Sequence, residues 1–312
     1  MDFSDYPFTP QRFEVRPGIA MSYLDEGPSD GDVVVKLHGN PSWSYYWRHL
    51  VLGLREHAAG KPAAGRGYRC IVPDHVGMGL SDKPDDAADA SPRYDYTLQS
   101  RVDDLAALLE HLGITGPVTL AVHDWGGMIG FGWALSHAAQ VKRLVITNTA
   151  AFPLPATKPM PWQLSLGRDS RIGGWAIRRF NLFARGAAWL GTQRRLPAGV
   201  RRAYTAPYDG WTNAISTLRF MQDIPLREGD AAWPLLAEAG RRLHEFADRP
   251  AFIGWGLRDF VFDRHFLAGF RDALPRAQVM AFDDAGHYVM EDRHETLVLA
   301  IRRFLDEHPI TD

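Results

Sequence analysis

One aspartate stands where an apolar run turns sharply into a helical pattern. Residues 117–122 predict a strand, residues 128–135 predict a helix, and the sequence His-Asp-Trp-Gly-Gly lies between them. A strand, a sharp turn and a helix are the context of a nucleophile elbow, whose usual signature is Gly-x-Ser-x-Gly. Here Asp124 takes the place of the serine, and Val122 takes that of the first glycine. Alternatively, Asp124 only caps the helix.

Two later residues are placed to assist Asp124. His287 follows the last predicted strand, at 277–282, and Asp259 follows the preceding one, at 251–256. Because the ends of parallel strands share one edge of a sheet, the three side chains can converge there, in the chain order that a triad on an elbow uses. We predict Asp124 as nucleophile, His287 as base or charge stabiliser, and Asp259 as the acid that orients His287. The competing carboxylates are those of Asp263, Asp283 and Asp284.

A second turn is placed to supply hydrogen-bond donors. The sequence His-Gly-Asn-Pro at 38–41 follows the strand predicted at 32–37, the position from which an elbow fold contributes one oxyanion-hole amide. We predict the backbone N–H groups of Asn40 and Trp125 as the two donors. The side-chain amide of Asn40 and the indole of Trp125 would direct two more N–H groups at an anion. The indole suits this role because it can only donate a hydrogen bond. The alternatives are a turn residue at Asn40 and a packing aromatic at Trp125.

An aspartate nucleophile limits the reaction class. A carboxylate that attacks an acyl carbonyl forms an anhydride, whereas displacement at an sp³ carbon forms a stable alkyl ester, which water activated by histidine can cleave. Carbon–halogen bonds, epoxides and strained lactones are therefore suitable electrophiles, and ordinary esters are better served by serine. We expect no cofactor and no metal.

The predicted elements that position these residues alternate between strands and helices. A hairpin is predicted at 11–24, a loop at 61–67, and helices at 43–54, 98–112 and 291–305. The remaining strands are predicted at 69–73 and 141–147. This alternation predicts an α/β fold with a mostly parallel sheet and helices on both faces.

Between residues 151 and 248 the alternation stops, and the sequence there is rich in proline, tryptophan and arginine. We interpret this segment as a helical cap that closes over a pocket and excludes water. The predicted organisation is a core of residues 1–150 and 249–312, with residues 151–248 as the cap. The alternative is an ordinary run of core helices.

The predicted cap is also basic. Residues 151–220 hold eleven Lys or Arg residues and two acidic residues. Within it, residues 171–190 predict an amphipathic helix whose arginines recur every seven residues, at Arg171, Arg178 and Arg185. Its apolar face consists of Ile172, Trp175, Ala176, Phe180, Phe183, Ala187 and Leu190. Such a helix suits an acidic partner or a membrane surface, and a solvated charged face is the alternative.

Composition excludes several classes of protein. A chain of 312 residues that is 46% hydrophobic is long enough for a sizeable core, and a net charge of −2 gives no nucleic-acid footprint. Cys70 is the single cysteine, which excludes an intramolecular disulfide. No run approaches the roughly 20 apolar residues of a membrane span, and the N-terminus lacks a signal pattern. We therefore expect a cytoplasmic protein.

The turns at 38–41 and 123–127 together resemble those of the haloalkane dehalogenases of the α/β-hydrolase superfamily. This resemblance implies an α/β-hydrolase fold, Asp124 as nucleophile, and Asn40 and Trp125 as the residues that hold the leaving halide. Epoxide hydrolases usually carry an aromatic residue in place of Asn40, and fluoroacetate dehalogenases carry arginine in place of Trp125, so both fit less well. Asn148 stands where some relatives keep a carboxylate, a role that an amide cannot play.

A closer resemblance covers nearly the whole chain. The segments at 151–155, 158–163, 206–208, 219–226, 250–270 and 285–295 resemble the β-lactone decarboxylases of bacterial long-chain olefin biosynthesis. The resemblance implies decarboxylation of a hydrophobic cis-3,4-dialkyl β-lactone (an oxetan-2-one) to a cis-alkene, with the triad at Asp124, Asp259 and His287. It also implies assembly with other enzymes of the olefin pathway, for which the basic cap is a candidate surface.

Three functions follow from these residues and resemblances. The first is a β-lactone decarboxylase, a lyase; the second is a haloalkane dehalogenase that works through an alkyl-Asp ester. The third is a non-catalytic scaffold subunit, against which the Asp124–His287 pair argues, and an epoxide hydrolase is a further, less favoured alternative. For the lactone, attack at the ring carbon and attack at the carbonyl both stay open.

Overall fold

A computed structural model describes residues 3, 5–60, 67–87, 89–155, 158 and 167–310. It holds one eight-stranded sheet, in the order β1-β2-β4-β3-β5-β6-β7-β8. Strands β1 and β4 each pair antiparallel with β2, and the other pairs are parallel. The strands are β1 (Gln11–Arg16), β2 (Ile19–Glu26), β3 (Asp32–Leu37), β4 (Tyr68–Pro73), β5 (Val118–Asp124), β6 (Val141–Thr149), β7 (Ala251–Gly256) and β8 (Gln278–Phe282).

Helices cover both faces of this sheet. Strands β3 and β5 are rich in apolar residues because a parallel strand in the middle of such a sheet is buried on both sides. Val34 packs into one core cluster and Val35 into the other. The helices that follow core strands are α1 (Arg48–Gly60), α2 (Leu98–His111), α3 (Trp125–His137), α9 (Arg264–Ala273) and α10 (Val289–Glu307). In the described part of the chain, no helix has the length and apolar character that a bilayer crossing needs.

The predicted α/β architecture is confirmed, with small differences at element ends. Strands β3 and β7 have the predicted bounds, and α2 ends just before Gly113, whose positive φ of 64° suits a helix end. The helix predicted from residue 43 instead begins as a 3₁₀ turn at Ser44–Trp47 before α1. The predicted loop at 61–67 lies, apart from Gly67, outside the described residues.

The strand order reverses beside β3, which lies between β4 and β5. Ligands of open α/β sheets bind at such a reversal, outside the carboxyl ends of the strands. Here the two ends that meet are those of β3 and β5, which are in register with Leu37 opposite Val122. Both predicted turns therefore lie at one sheet edge.

Helices fill the described residues between β6 and β7. They are α4 (Arg171–Phe180), α5 (Leu182–Leu190), α6 (Ala198–Thr205), α7 (Ile215–Gln222) and α8 (Trp233–Arg242), with 3₁₀ turns at Ala206–Tyr208 and Leu243–Phe246. The prediction of one continuous helix over 171–190 is wrong. Asn181 adopts a left-handed conformation with φ of 53°, and its side chain donates to the carbonyl of Thr205 at 3.1 Å, so α4 ends there and α5 begins.

Candidate active site

Asp124 ends β5 in a strained backbone conformation. Its φ of 52° and ψ of −125° are a combination that non-glycine residues rarely adopt. Two glycines make room for the turn. A Cβ on Gly126 would lie 2.2 Å from the carbonyl oxygen of Leu37, and a Cβ on Gly39 would lie 1.8 Å from Oδ1 of Asp124. The sequence pattern of the elbow thus has a steric basis.

The Asp124 carboxylate is held from the opposite turn. The backbone N–H of Asn40 donates to Oδ1 at 2.5 Å, and the N–H of Trp125 also favours the ionised carboxylate. The side chain makes no capping bond to α3, which argues against a role in capping alone. The two amides predicted as oxyanion donors therefore serve Asp124 itself. Oδ2 is the oxygen that faces His287.

His287 lies between two carboxylates. Its Nδ1 is 2.8 Å from Oδ2 of Asp259, and its Nε2 is 3.6 Å from Oδ2 of Asp124. The other oxygen of Asp259 accepts the N–H of Val261 at 2.7 Å. Asn148 donates through Nδ2 to Oδ2 of Asp259 at 3.0 Å. All three predicted triad residues are thus brought together, and Asp259 is fixed by partners on both sides.

The competing carboxylates are engaged elsewhere. Asp263 begins α9 by accepting the N–H of His265 at 2.9 Å, and it pairs with Lys158 at 2.8 Å. Asp284 pairs with Arg293, and Asp283 is exposed. Of the four candidates, only Asp259 is within hydrogen-bond distance of His287 in the structure.

Burial sets the protonation of the site. It raises the pKa of Asp124 to about 6, although the charge of His287 and the two backbone N–H groups oppose it. For His287, burial lowers the pKa, but the charge and hydrogen bond of Asp259, with the charge of Asp124, outweigh it and raise the pKa above 6.5. His123, 4.7 Å from the His287 ring, has a pKa held well below 6.5 by burial and by His287. The two carboxylates thus favour the protonated form of His287.

A largely apolar cavity of about 550 Å³ opens over Asp124. The sheet edge contributes Asn40, Asp124, Trp125 and His287. Apolar residues of α5 and of the segments 150–154, 224–226 and 260–266 form most of the rest. The side chain of Asn40 donates one N–H to the carbonyl of Thr217 at 2.9 Å, so only its second N–H is available to a ligand. Trp125 packs edge to face on Phe220 at 5.0 Å. Apolar ligands fit such a cavity best.

Comparison with known proteins agrees with this geometry. The alpha/beta hydrolase fold family matches residues 32–294. The chain belongs to that family. It is 72% identical over 99% of its length to all of a cis-3-alkyl-4-alkyloxetan-2-one decarboxylase of Xanthomonas campestris. A decarboxylase of the same name from Shewanella oneidensis is 47% identical, over 95% of this chain and 88% of that protein.

Among solved structures, a haloalkane dehalogenase from Bradyrhizobium elkani superposes with a TM-score of 0.81 at 25% identity. The superposition covers 96% of this chain and 98% of the dehalogenase. The architecture of this α/β-hydrolase is therefore shared with a haloalkane dehalogenase.

Sequence reasoning missed two supports of the triad in this α/β-hydrolase. The amide of Asn148 cannot replace a carboxylate, yet its Nδ2 donates to Asp259 and its Oδ1 accepts the N–H of Gly256 at 2.8 Å. Its place directly after the strand predicted at 141–147, near the end of β6, is the available signal. Asp292, buried on α10, had no signal in the sequence.

Asp292 joins the loop of His287 to the turn that follows α5. Its carboxylate accepts the backbone N–H groups of Gln193 at 3.0 Å, Arg194 at 3.0 Å and Gly286 at 2.8 Å. Three donors on one carboxylate hold two chain segments together. The position of His287 is therefore coupled to the helices that cover the cavity.

Proposed function

We propose that this protein is a cis-3-alkyl-4-alkyloxetan-2-one decarboxylase, a lyase that converts a cis-3,4-dialkyl β-lactone to an alkene and CO₂. The observation that carries the proposal is the buried carboxylate of Asp124 beside His287, in an apolar cavity, in a chain 72% identical to a protein of that name. The substrate has a strained ring for a carboxylate to open and two alkyl chains for the cavity to hold.

The first step is displacement at ring carbon C4. Oδ2 of Asp124 attacks C4, the C4–O bond breaks, and its electron pair leaves as the carboxylate on C3. An Asp124 alkyl ester and a free carboxylate result, with inversion at C4. Attack at the ring carbon is favoured over attack at the carbonyl, because a tetrahedral oxyanion needs free donors and the N–H of Asn40 is already bound to Oδ1 of Asp124.

The second step releases both products. The bond from C3 to the carboxylate breaks, its electron pair forms the C3=C4 double bond, CO₂ leaves, and the C4–O bond to Asp124 breaks to restore the free carboxylate. Inversion followed by anti elimination gives the same geometry as direct loss of CO₂ from the ring, so a cis-lactone yields a cis-alkene. No proton and no water enter the balance.

His287 acts in this scheme as a charge stabiliser. Its pKa is raised by Asp259 and Asp124 against the opposing effect of burial, so that an imidazolium faces the oxygen where negative charge returns in the second step. In a dehalogenase the same residue would have to activate water to cleave the alkyl ester. Asp259 keeps the ring oriented in either case.

The helical segment at 151–248 is proposed as the cap over this cavity, between core parts 1–150 and 249–312. Side chains of α5 and α7 line the cavity above Asp124, which supports a role in excluding water. The side-chain amide of Asn40 and the indole N–H of Trp125 are proposed to hold the carboxylate that forms in the first step. Assembly with other olefin-pathway enzymes and a cytoplasmic location stay predictions from the sequence.

One pair of assays tests the proposal. The protein is incubated with a cis-3,4-dialkyl oxetan-2-one and, separately, with a bromoalkane, in ¹⁸O-water. Alkene from the lactone, with no ¹⁸O in the Asp124 peptide after many turnovers, is the expected result. Bromide release as the main activity, with ¹⁸O in Asp124, would make the protein a dehalogenase. A hydroxy acid from the lactone, with the same labelling, would make it a lactone hydrolase.

A further inference from the structure

Large apolar side chains are exposed on two successive helices of the cap. Six of the ten exposed large hydrophobic residues in the described part of the chain lie on α4 and α5, each between 46% and 79% exposed. We call them the cap patch: Ile172, Trp175, Phe180, Leu182, Trp189 and Leu190. Trp175 packs against Phe180 with ring centroids 5.3 Å apart. Singly exposed apolar residues are ordinary, but such a concentration marks an interaction surface.

Positive charge surrounds the cap patch. Residues 171–202 hold eight arginines and no Asp or Glu, in a chain whose net charge is −2. Three of these arginines lie over rings of the patch: Arg195 and Arg201 over Trp189, at 5.0 and 4.4 Å, and Arg179 over Phe180, at 5.3 Å. None of the eight forms an ion pair with a carboxylate of the described residues. The surface is complementary to an anionic partner.

The cap patch is continuous with the catalytic cavity. Leu182 and Leu190 are exposed and also line the cavity, together with Phe183 and Ala187 of the same helix. Helix α5 thus has one side toward the surface and another toward Asp124. A substrate that reaches this helix from an apolar phase finds an apolar route inward.

We propose that the cap patch docks on the surface of an anionic lipid bilayer, with its aromatic and aliphatic side chains inserted and its arginines at the headgroups. Exposed Trp and Leu flanked by arginine are the pattern of interfacial membrane helices, and each basic residue near an anionic surface adds to binding. Docking would allow a water-insoluble dialkyl lactone to enter the cavity from the lipid. That benefit rests on the proposed function, whereas docking itself does not.

Vesicle sedimentation tests the docking. The protein is mixed with vesicles of phosphatidylcholine alone or with 30% phosphatidylglycerol added, at about 0.1 M salt. We expect the protein to bind the anionic vesicles, and to bind the neutral vesicles at least tenfold more weakly. The variant W175S/W189S should bind the anionic vesicles at least tenfold more weakly than wild type; neither tryptophan lines the cavity. The variant I172S replaces an exposed aliphatic residue of the cap patch, and its matched control L299S replaces one on α10. Only I172S should weaken binding to the anionic vesicles.

Turnover of a short-chain, water-soluble β-lactone and the melting temperature provide the controls. Both should be unchanged in W175S/W189S, because neither tryptophan lines the cavity. If no lactone is turned over but binding requires anionic lipid and the two tryptophans, docking stands and the proposed function fails. The membrane proposal would be overturned if the protein did not bind anionic vesicles, or if W175S/W189S bound them as tightly as wild type. It would also be overturned if the protein were retained only on immobilised polyglutamate, which would indicate an acidic protein partner.

Discussion

Replacing Asp124 by asparagine should abolish turnover and stabilise the fold at the same time. Burial raises the pKa of this carboxyl from 3.8 to about 6. At 1.36 kcal/mol for each pKa unit, the ionised side chain costs about 3 kcal/mol of folding free energy at pH 8. An amide is nearly isosteric, carries no charge, keeps an oxygen for the N–H of Asn40, and is tolerated at positive φ. D124N should therefore melt higher, by about 5 °C for a chain of this size.

The gain should depend on pH in a defined direction. Because the folded-state pKa of Asp124 is above the unfolded value, the penalty is fully present above pH 6 and disappears as the pH falls toward 3.8. Melting temperatures of wild type and D124N are compared at pH 8 and pH 4.5, with D272N, a substitution of an exposed aspartate, as control. The reasoning is refuted if D124N is no more stable than wild type at pH 8. Retention of a tenth of the activity by D124N would mean that Asp124 is not the nucleophile.

Other perturbations separate the remaining roles. D259N should lower kcat by at least about 100-fold, since the equivalent change in a serine protease triad costs about 10⁴, and D263N should lower it little; the reverse ranking in kcat would move the acid. Below pH 6, kcat/KM should fall about tenfold per pH unit, because Asp124 must be ionised; a profile flat to pH 5 would contradict the raised pKa. D292N should lower both the melting temperature and kcat, because the loop of His287 loses an anchor worth about 1–3 kcal/mol; unchanged kcat would show that the anchor does not position His287.

The sequence predicted the parts of the site that depend on chain order and residue type. Asp124 at its elbow lies close to His287 and Asp259, which follow two successive strands, because parallel strands end at one edge of a sheet. The family resemblances imply the same three residues. The supports were harder to see. Asp292 accepts backbone N–H groups from segments about a hundred residues apart in the chain, and backbone donors leave no trace in side-chain patterns.

The break at Asn181 shows a second limit of sequence reasoning. Residues 171–190 have an unbroken helical periodicity, but one left-handed residue, anchored to Thr205 in a later helix, redirects the chain. Local propensity and periodicity do not contain that tertiary contact. Consequently the apolar side chains predicted on one helical face are divided between the surface and the cavity.

On the proposed mechanism, the same triad can serve a hydrolase or a lyase, because the substrate determines how the Asp124 ester is resolved. An alkyl ester formed from a haloalkane has no second leaving group, so His287 must direct water at it. An ester formed from a β-lactone carries a carboxylate on the neighbouring carbon, and loss of CO₂ expels Asp124 without water. What the lyase needs from the protein is then exclusion of water and a stabilising cation. An apolar cavity, and a His287 whose pKa is raised by two carboxylates, supply both.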